Sequence, residues 1–311
     1  MCDKTETPSQ IQDHSDIPRQ ERQVQPGLES EMKPAPVVHQ LPAEAGSENP
    51  CELLPYRPSG KLENRIAIVT GGDSGIGRSV ATLYAMEGVS GIAIVHLPRE
   101  QGDAQETKKR IESQSKCRVL LIAKDVGVEK NCEEIIEEVI GQFGKIDILV
   151  NNASEQHVCE DFSQISGDQI ERTFRTNIFG MMFLAKYALR HMKQGGVIIN
   201  TTSVTAYQGK PILVDYSSTK GAITSFTRSL SMQLASKGIR VNGVAPGPIW
   251  TPLIPASFSK DDMEVFGKEV PMGRAGQPSE VATSYVFLAS SDSSYMTGQI
   301  LHPNGGSIVN G

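Results

Sequence analysis

The sequence predicts an α/β protein in which a doubly wound parallel sheet forms the middle of three layers in a single domain. Two observations carry this prediction. Short apolar runs rich in Val and Ile recur without polar alternation, as expected of strands buried on both faces of a parallel sheet. Amphipathic stretches of helical period lie between the runs, and such alternation is typical of a parallel sheet covered by helices.

The elements follow one another from Lys61 to the C terminus, so we expect one domain over residues 61–311. The predicted strands are Ile66–Thr70, Gly91–His96, Val119–Ala123, Ile146–Val150, Gly196–Asn200, Arg240–Val244 and Ile300–His302. The predicted helices are Ile76–Glu87, Lys130–Phe143, Ile170–His191, Tyr216–Lys237 and Ser279–Ser290. In the second of these helices one face is apolar, with Ile135, Ile136, Val139, Ile140 and Phe143.

Residues 1–60 differ in composition from the rest of the chain. Nine of the eighteen prolines fall there, among polar and charged residues that show neither a helical nor a strand period. Such a segment buries too little apolar surface to offset the entropy of ordering it. We therefore expect residues 1–60 to form a mostly irregular tail that lies over the domain or over a neighbouring subunit.

The composition argues against several classes of function. Hydrophobic residues make up 38% and charged residues 21%, as in globular proteins, and the net charge of -6 does not suit a nucleic-acid surface. No apolar run approaches the length of a membrane span, and the N terminus lacks a secretory pattern. The five cysteines form no CxxC pair and fit no zinc spacing, so we expect no metal and reduced thiols in the cytoplasm.

The first predicted strand runs directly into a glycine-rich turn and a helix. The turn reads Gly71-Gly72-Asp73-Ser74-Gly75-Ile76-Gly77-Arg78. Glycine permits a tight turn and a close approach of the backbone to a pyrophosphate, while the helix N terminus offers free N–H groups and a positive dipole end. Any strand-to-helix turn can contain glycine, but its place at the start of the alternating series favours a dinucleotide site.

A second group of polar residues lies in the C-terminal half. Tyr216 and Lys220 are four residues apart at the start of a predicted helix and therefore share one face. A neighbouring ammonium and the positive nicotinamide of a bound dinucleotide both favour the phenolate, so we expect the pKa of Tyr216 to move from about 10 toward the working range. Such a pair alone is common on solvated helices, but Ser203 lies nearby at the end of the fifth predicted strand. Ligands bind at that edge of doubly wound sheets.

These motifs, in this order, resemble those of the short-chain dehydrogenase/reductase family. The first is the TGxxxGIG spacing; the others are Lys124-Asp125-Val126, Asn151-Asn152-Ala153, Asn177, Ser203, Tyr216-Ser217-Ser218-Thr219-Lys220 and Pro246-Gly247-Pro248-Ile249-Trp250-Thr251. The resemblance covers Lys61–Gly311, and Gln25–Met32 is similar to the tailed glucose/ribitol-dehydrogenase-like branch. It implies a Rossmann fold and an NAD(P)-dependent oxidoreductase acting on a CH–OH or C=O group.

The resemblance also implies residue roles. Ser203 would hydrogen-bond the substrate oxygen, Tyr216 would transfer its proton, and Lys220 would hold the ribose and tune Tyr216. Asn177 would support a water relay to Lys220, or it is simply a helix-interior residue with a local hydrogen bond. The implied cofactor-binding residues are Gly71, Asp73, Ser74, Gly75, Ile76, Gly77, His96, Arg99, Asp125, Val126, Asn151, Asn152, Ala153, Tyr216, Lys220, Pro246, Gly247, Ile249 and Thr251. The family usually has Gly where this chain has Ser154.

The choice of cofactor depends on the end of the second predicted strand. NAD-binding proteins usually hold the ribose hydroxyls with an acidic residue there. The segment Ile94–Arg99 contains no acid, and His96, Arg99 or Arg78 can reach a 2′-phosphate. Asp73 in the glycine-rich turn favours the unphosphorylated ribose instead. We expect NADP, with NAD possible.

Two functions remain open at this point. The first is an oxidoreductase acting on a small molecule such as a sugar, a polyol or a biosynthetic intermediate. The alternative is a non-catalytic NADP-binding sensor or scaffold. Degenerate family members typically lose the Tyr or the Lys, whereas this chain keeps Asn177, Ser203, Tyr216 and Lys220, which favours the enzyme. The resemblance also implies a homotetramer or homodimer paired through the two long helices, with no nucleic-acid or membrane partner.

Overall fold

The computed structural model describes residues 20–43 and 52–309. Two short strands, β1 (Gln40–Pro42) and β2 (Leu53–Pro55), form an antiparallel pair. The central sheet contains β3 (Ile66–Thr70), β4 (Gly91–His96), β5 (Arg118–Ala123), β6 (Ile148–Asn151), β7 (Val197–Thr201), β8 (Arg240–Val244) and β9 (Ile300–Leu301). These seven strands confirm the seven predicted ones: β3, β4 and β8 have the predicted ends, and the others differ by one or two residues.

The central sheet is wholly parallel, with the order β5-β4-β3-β6-β7-β8-β9. The chain runs outward in one direction from β3 to β5 and in the other direction from β6 to β9. β3 and β6 are neighbours, with Ala67 opposite Ile148 and Val69 opposite Val150. Ligands of doubly wound sheets bind beyond the carboxyl ends of the strands at this reversal. The predicted fold class is confirmed.

Helices cover both faces of the sheet. They are α1 (Gly75–Met86), α2 (Gln101–Gln114), α3 (Glu129–Phe143), α4 (Gly167–Phe174), α5 (Gly180–Ala188), α6 (Thr205–Gln208), α7 (Val214–Leu234), α8 (Leu253–Ser257), α9 (Lys260–Val265) and α10 (Pro278–Ala289). One core includes Leu83 of α1 and Tyr285 of α10, and the other includes Ile135 of α3 and Leu184 of α5. Within residues 20–43 and 52–309, no helix is both long and apolar enough to cross a membrane.

The predicted helix Ile170–His191 is not continuous. It consists of α4, a π-helical turn over Arg175–Phe179, and α5, which ends at Ala188. A π turn keeps the helical direction while it inserts an extra residue, so the apolar period alone does not reveal it. Such turns often occur at functional sites, and this one contains Asn177.

The sequence pattern does not predict α2. Its buried residues are Asp103, Ala104, Thr107 and Ile111, of which only two are apolar. An amphipathic helix normally presents a wider apolar stripe, so the hydrophobic period of this segment is too weak to recognise.

Residues 20–38, which we call the N-terminal strap, lie against the domain. Met32 and Val38 are buried, and the N–H of Gln23 donates to the carbonyl of Pro255 at 2.9 Å. The tail prediction also covers residues 1–19 and 44–51, which lie outside the described residues, as do Cys2 and Cys51. The domain boundary at residue 60 stays a prediction.

Candidate active site

A cavity of about 1280 Å³ opens at the carboxyl ends of the central strands. The residues that line it lie at or just after the carboxyl ends of successive strands. They belong to the segments 71–76, 95–97, 124–128, 152–156, 201–205 and 246–254. Sites for drug-sized ligands are typically about 300–1,000 Å³. This cavity is therefore large enough for a dinucleotide together with a small substrate.

The glycine-rich turn adopts a backbone conformation that requires glycine. Gly71 and Gly75 have φ angles of 61° and 51°, in the left-handed region. At Gly77 a Cβ would lie 1.9 Å from the carbonyl oxygen of Gly71, so α1 packs directly against the turn. Ser74, the N-cap of α1, makes no side-chain cap hydrogen bond, and Ser74 and Ile76 line the cavity. The helix N terminus therefore faces a space that suits an anion.

The segment after β6 is fixed to the end of β3. The N–H groups of Asn152 and Ala153 donate to Thr70 Oγ1 at 2.9 and 3.0 Å, and Asn152 Nδ2 donates to the Thr70 carbonyl at 3.1 Å. Asn152 and Ala153 line the cavity. Asn151 lies behind it, fully buried, and its Nδ2 donates to Asn200 Oδ1 at 2.9 Å. Asn151 thus supports the strands rather than the cavity surface.

Three of the predicted catalytic side chains line the same cavity. Ser203 follows β7, while Tyr216 and Lys220 lie one turn apart near the start of α7. Ser203 Oγ accepts hydrogen bonds from Thr205 N–H and Thr205 Oγ1, each at 3.1 Å. Lys220 Nζ lies 5.1 Å from the centroid of the Tyr216 ring and donates to the carbonyl of Thr201 at 3.1 Å. The hydroxyl, the phenol and the amine therefore form one cluster.

Burial governs the protonation of this cluster. Desolvation raises the pKa of Tyr216 to about 12, although a hydrogen bond with Ser203 lowers it slightly. Desolvation also lowers the pKa of Lys220 to about 7, because a buried ammonium loses its hydration. The protein groups by themselves therefore do not lower the Tyr216 pKa, and the predicted shift, which also relies on the positive nicotinamide, stays a prediction. A neutral phenol is a proton donor, the form that the reduction of a carbonyl group requires.

Asn177 is buried in the π turn behind the cavity wall. Its Oδ1 accepts from Glu155 N–H at 2.9 Å and from Ser154 Oγ at 3.1 Å. Its Nδ2 donates to the Glu155 carbonyl at 2.9 Å and to Thr219 Oγ1 at 3.2 Å. The Ser154 hydroxyl, unusual for the family, is thus accommodated by Asn177. These partners lie 22 to 42 residues away in the chain, so they are not the local hydrogen bond considered for Asn177. A water relay to Lys220 stays a prediction.

Acidic side chains lie where the chain leaves β4. Asp73 and Glu100 are buried and line the cavity, and neither Asp73 carboxylate oxygen has a hydrogen-bond partner of normal geometry. Burial raises the pKa of both carboxyl groups. His96 lines the cavity, whereas Arg99 is exposed outside it. Within residues 20–43 and 52–309, no three or more His, Cys, Asp or Glu side chains are grouped to hold a metal ion.

Two further predicted segments line the cavity. Asp125 and Val126 follow β5, and Asp125 Oδ1 accepts a hydrogen bond from Gly127 N–H at 2.8 Å. The segment after β8 contributes Pro246, Gly247, Ile249 and Thr251. Among the predicted cofactor-binding residues, Gly77, Arg99 and Asn151 do not line the cavity. Gly77 and Asn151 act through packing behind the cavity surface.

The N-terminal strap also contributes to the cavity, through Pro26 and Gly27. A Cβ at Gly27 would lie 2.3 Å from the carbonyl oxygen of Pro252, so the strap approaches the segment after β8 at backbone distance. Neither residue is among the predicted site residues. A segment without helical or strand period gives no indication of which of its residues reach a site.

Comparison with known proteins links this arrangement to a family. A family model described as enoyl-(acyl carrier protein) reductase matches residues 71–307. The glucose and ribitol dehydrogenase of Daucus carota is 51% identical over 298 residues, covering 95% of this chain and 98% of the carrot protein. The protein named NADPH-dependent aldehyde reductase 1, chloroplastic, of Arabidopsis thaliana is 53% identical over 279 residues, covering 86% of this chain and 96% of its own length.

A solved structure shows the same fold with a bound dinucleotide. The short chain dehydrogenase of Burkholderia cenocepacia J2315 in complex with NADP has a TM-score of 0.74 and 28% identity, covering 79% of this chain and 98% of that one. The resemblance inferred from the motifs is confirmed. The chain belongs to the short-chain dehydrogenase/reductase family, in its glucose- and ribitol-dehydrogenase-like branch, and is an NAD(P)-dependent oxidoreductase.

Proposed function

We propose that this protein uses NADP, and accepts NAD, to transfer a hydride between the nicotinamide and a carbonyl or alcohol carbon. The observation that carries the proposal is the meeting of Ser203, Tyr216 and Lys220 in the cavity that the glycine-rich turn borders. A non-catalytic sensor or scaffold has no need of a buried phenol beside a buried amine, since burying polar groups costs stability.

In the proposed reaction the reduced coenzyme, when bound, supplies the hydride. Ser203 Oγ hydrogen-bonds the carbonyl oxygen of the substrate and orients it. Tyr216 donates its phenolic proton to that oxygen, so that the carbonyl group becomes an alcohol; in the opposite direction Tyr216 takes the proton back. Lys220, anchored on the Thr201 carbonyl, directs its remaining donors toward the ribose hydroxyls.

The residues around the cavity are arranged as a dinucleotide requires. We infer that the turn at 71–76 and the N terminus of α1 hold the pyrophosphate through backbone N–H groups. Asp125 and Val126 would contact the adenine, and Asn152 and Ala153 the nicotinamide ribose. The segment 246–251 would contact the carboxamide. Asp73 lines the cavity and neither of its carboxylate oxygens has a hydrogen-bond partner of normal geometry, so it suits ribose hydroxyls; this supports the acceptance of NAD beside NADP.

The substrate end of the cavity combines polar and apolar walls. Gln156 and Glu155 lie on the polar side, and Leu213, Ile254 and Phe258 provide apolar surface. Such a lining suits a small polar substrate with an aldehyde, ketone or hydroxyl group, such as a sugar, a polyol or a biosynthetic intermediate. The names of the carrot and Arabidopsis relatives point to the same range.

The function is tested by incubating the purified protein with NADP(H) and NAD(H) against panels of aldehydes, ketones, sugars and polyols. The absorbance of the reduced coenzyme follows turnover in both directions. We expect turnover on at least one panel, together with dinucleotide binding. A protein that binds the dinucleotide tightly but turns over no member of any panel would instead be a sensor or scaffold.

The NADP preference is expected to depend in part on Arg99. Because this side chain is exposed, it can contribute only a modest attraction to a 2′-phosphate, of about 0.2–1 kcal/mol. Arg99→Ala should therefore weaken NADP binding by up to about fivefold and leave NAD binding nearly unchanged. Calorimetric titration of both coenzymes measures this, with the exposed Lys109→Ala as the matched control. An equal loss for both coenzymes would exclude Arg99 from the phosphate site.

We also propose a homotetramer or homodimer. Of the twelve apolar residues of Ile170–His191, six, such as Met181, are buried within the single chain and four are half-buried, so the unpartnered face is smaller than the sequence implies. Phe179 and Met182 nevertheless remain 39% and 41% exposed, and Met232 of α7 is 74% exposed. Removing such surface from water stabilises by about 25 cal/mol per Å². Pairing of these helices across a two-fold axis would remove this apolar surface from water.

Light scattering during gel filtration tests the assembly. We expect twice or four times the monomer mass of 33.7 kDa. Met232→Lys should shift the population toward smaller species, because a charge would be buried at the proposed contact. A fully active protein that elutes only as a monomer would contradict the proposed pairing.

We propose a cytoplasmic location as well. Cys117, Cys132 and Cys159 are free thiols, and such thiols are typical of reducing compartments. Burial raises the pKa of Cys117 and of Cys132 to about 12, which keeps both in the unreactive thiol form.

A further inference from the structure

The N-terminal strap joins parts of the cavity wall that are distant in the chain. Gln25 Nε2 donates to the Gln156 carbonyl at 2.9 Å and to Ser257 Oγ at 2.8 Å. Further along, Trp250 Nε1 donates to the carbonyl of Pro34 at 3.0 Å. The strap is therefore hydrogen-bonded both to the segment after β6 and to the segment after β8.

Glu29 is the strap residue that reaches the glycine-rich turn. Its carboxylate is buried, with a side-chain exposure of 3%, and it pairs with the equally buried guanidinium of Arg78. Its Oε2 accepts a hydrogen bond from the N–H of Gly75 at 2.6 Å. The backbone of Glu29 is itself anchored, since its N–H donates to Asp103 Oδ2 at 2.8 Å. Neither Glu29 nor Arg78 lines the cavity, so both contact the turn from behind.

Arg78 transmits this contact to a second point of the turn. Its Nε donates to the Asp73 carbonyl at 2.7 Å and to Thr107 Oγ1 at 2.8 Å. Thr107 Oγ1 in turn donates to the same Asp73 carbonyl at 2.9 Å. Glu29 therefore holds the Gly75 N–H directly and the Asp73 carbonyl through Arg78. Ser74, between these two groups, faces the cavity.

We propose that Glu29 is a positioning residue of the dinucleotide site, which makes the N-terminal strap a working part of that site; the inference rests on the proposed function. Glu29 holds the tip of the glycine-rich turn, from Asp73 to Gly75, in the conformation that presents the N terminus of α1 to the pyrophosphate. Its action is indirect, because its carboxylate lies on the side of the turn away from the cavity.

The charges around Glu29 fit this assignment. Desolvation raises the pKa of Glu29, while Arg78 and the hydrogen bond from the Gly75 N–H oppose the shift, so the charged carboxylate depends on these two partners. Arg78 is also paired with Asp103, with Nη2 and Oδ1 3.5 Å apart, so its guanidinium is neutralised within the protein. At this turn the groups left to hold a phosphate are the backbone N–H groups other than that of Gly75, and Glu29 fixes the turn that carries them.

The decisive experiment compares dinucleotide affinity in the full chain for Glu29→Gln and for the matched control Glu31→Gln. Glu31 lies two residues away in the same strap and is exposed. Loss of a hydrogen bond to a charged group can change an equilibrium constant by about 10- to 100-fold. We expect the Kd for NADP to rise by about this factor in Glu29→Gln and to change less than about twofold in Glu31→Gln.

Two further measurements separate positioning from folding. Kd is measured well below the unfolding midpoint, where a purely structural substitution leaves the folded protein's affinity unchanged. With a verified substrate, the KM for the coenzyme should rise while kcat at saturation stays within about twofold, because the catalytic cluster is intact. If Glu29→Gln does not fold, Glu29→Asp is the deciding variant. It keeps the charge for Arg78 but shortens the reach to the Gly75 N–H, and it should raise the Kd about two- to tenfold, the effect of losing one hydrogen bond.

The outcomes are distinct. Wild-type affinity in the folded Glu29 variants would overturn the inference, as would an equal loss in Glu31→Gln. Failure of the wild-type protein to bind any nicotinamide dinucleotide would instead overturn the proposed function itself. A selective loss in the Glu29 variants, with kcat preserved, would establish the strap as part of the coenzyme site.

Discussion

Replacing Tyr216 by Phe should lower kcat by about two to four orders of magnitude, the range in which a positioned proton donor contributes to turnover. The substitution removes one hydroxyl group from a buried ring and leaves Ser203 and Lys220 in place. Dinucleotide affinity should therefore change less than about twofold, since the ring still fills its site. Steady-state kinetics on a verified substrate measures the first quantity, and calorimetric titration of NADP measures the second.

Tyr207→Phe provides the matched control. Tyr207 lies in α6, close to Ser203 in the chain, and its hydroxyl has no hydrogen-bond partner. Loss of that hydroxyl should leave kcat within about twofold of the wild-type value. If Tyr216→Phe retained a turnover similar to that of Tyr207→Phe, Tyr216 could not be the proton donor.

The protonation of the cluster decides which proton transfer it is ready for. With its pKa raised to about 12, Tyr216 is a neutral phenol across the physiological range. A neutral phenol can donate a proton at once, whereas oxidation of an alcohol first requires a phenolate or another proton acceptor. Before the coenzyme binds, the cluster therefore holds the proton that carbonyl reduction consumes. Spacing along the sequence indicates that Tyr216 and Lys220 are neighbours, but burial, which dominates both pKa values, is a property of the folded chain.

The central sheet could be predicted almost completely because its inner strands are buried on both faces. Continuous Val and Ile runs such as Ile66–Thr70 have few other structural explanations, and β3 has the predicted ends. The helices that pack with a narrow or interrupted apolar stripe were harder to recognise. α2 buries Thr107 and Asp103 along with its two apolar residues, and the π turn at Arg175–Phe179 disturbs an otherwise continuous helix.

The catalytic cluster could be predicted because the segments that carry it meet at one sheet edge. Tyr216 and Lys220 share α7, and Ser203 follows β7 at the same edge, so chain topology is enough to bring them together. Asn151 was assigned to the cavity with its neighbours, but strand alternation turns its side chain toward Asn200 instead. The motif alone does not show which of its three consecutive side chains points away from the cavity.

The contacts of the strap illustrate a different limit. Glu29 and Arg78 are 49 residues apart in the chain, and their pairing depends on the path of an irregular segment. Hydrogen bonds to backbone carbonyls hold that segment, rather than a periodic apolar face. Gln25 of the strap donates to the Gln156 carbonyl of the domain, and Trp250 of the domain donates to the Pro34 carbonyl of the strap. Composition therefore predicts a mostly irregular segment but does not reveal the 3-10 turn at Glu29–Glu31, the strands β1 and β2 within residues 1–60, or the partners of the strap.

Replacing Lys220 by Met should damage both turnover and coenzyme binding, because one side chain serves both purposes. The loss of the ribose contact removes charge-assisted hydrogen bonds, each of which contributes about 1.5–3 kcal/mol. We therefore expect at least about a tenfold rise in the Kd for NADP and at least about a 100-fold fall in kcat. Unchanged coenzyme affinity in this variant would contradict the ribose contact.

The same substitution should stabilise the coenzyme-free protein in a pH-dependent way. Burial lowers the pKa of Lys220 from 10.5 to about 7, so between these values the unfolded chain binds the proton and the folded chain does not. The free energy of unfolding of the wild type therefore falls as the pH is lowered from 10.5 to 7. Lys220→Met lacks this penalty, which amounts to a few kcal/mol at about 1.4 kcal/mol per pKa unit.

The thermal unfolding midpoint of Lys220→Met should therefore exceed that of the wild type, and the difference should be largest at pH 7 and below and should shrink toward pH 10. An advantage that is constant with pH, or absent at pH 7, would mean that Lys220 is not desolvated in the folded protein, and would remove the physical reason for its special position beside Tyr216.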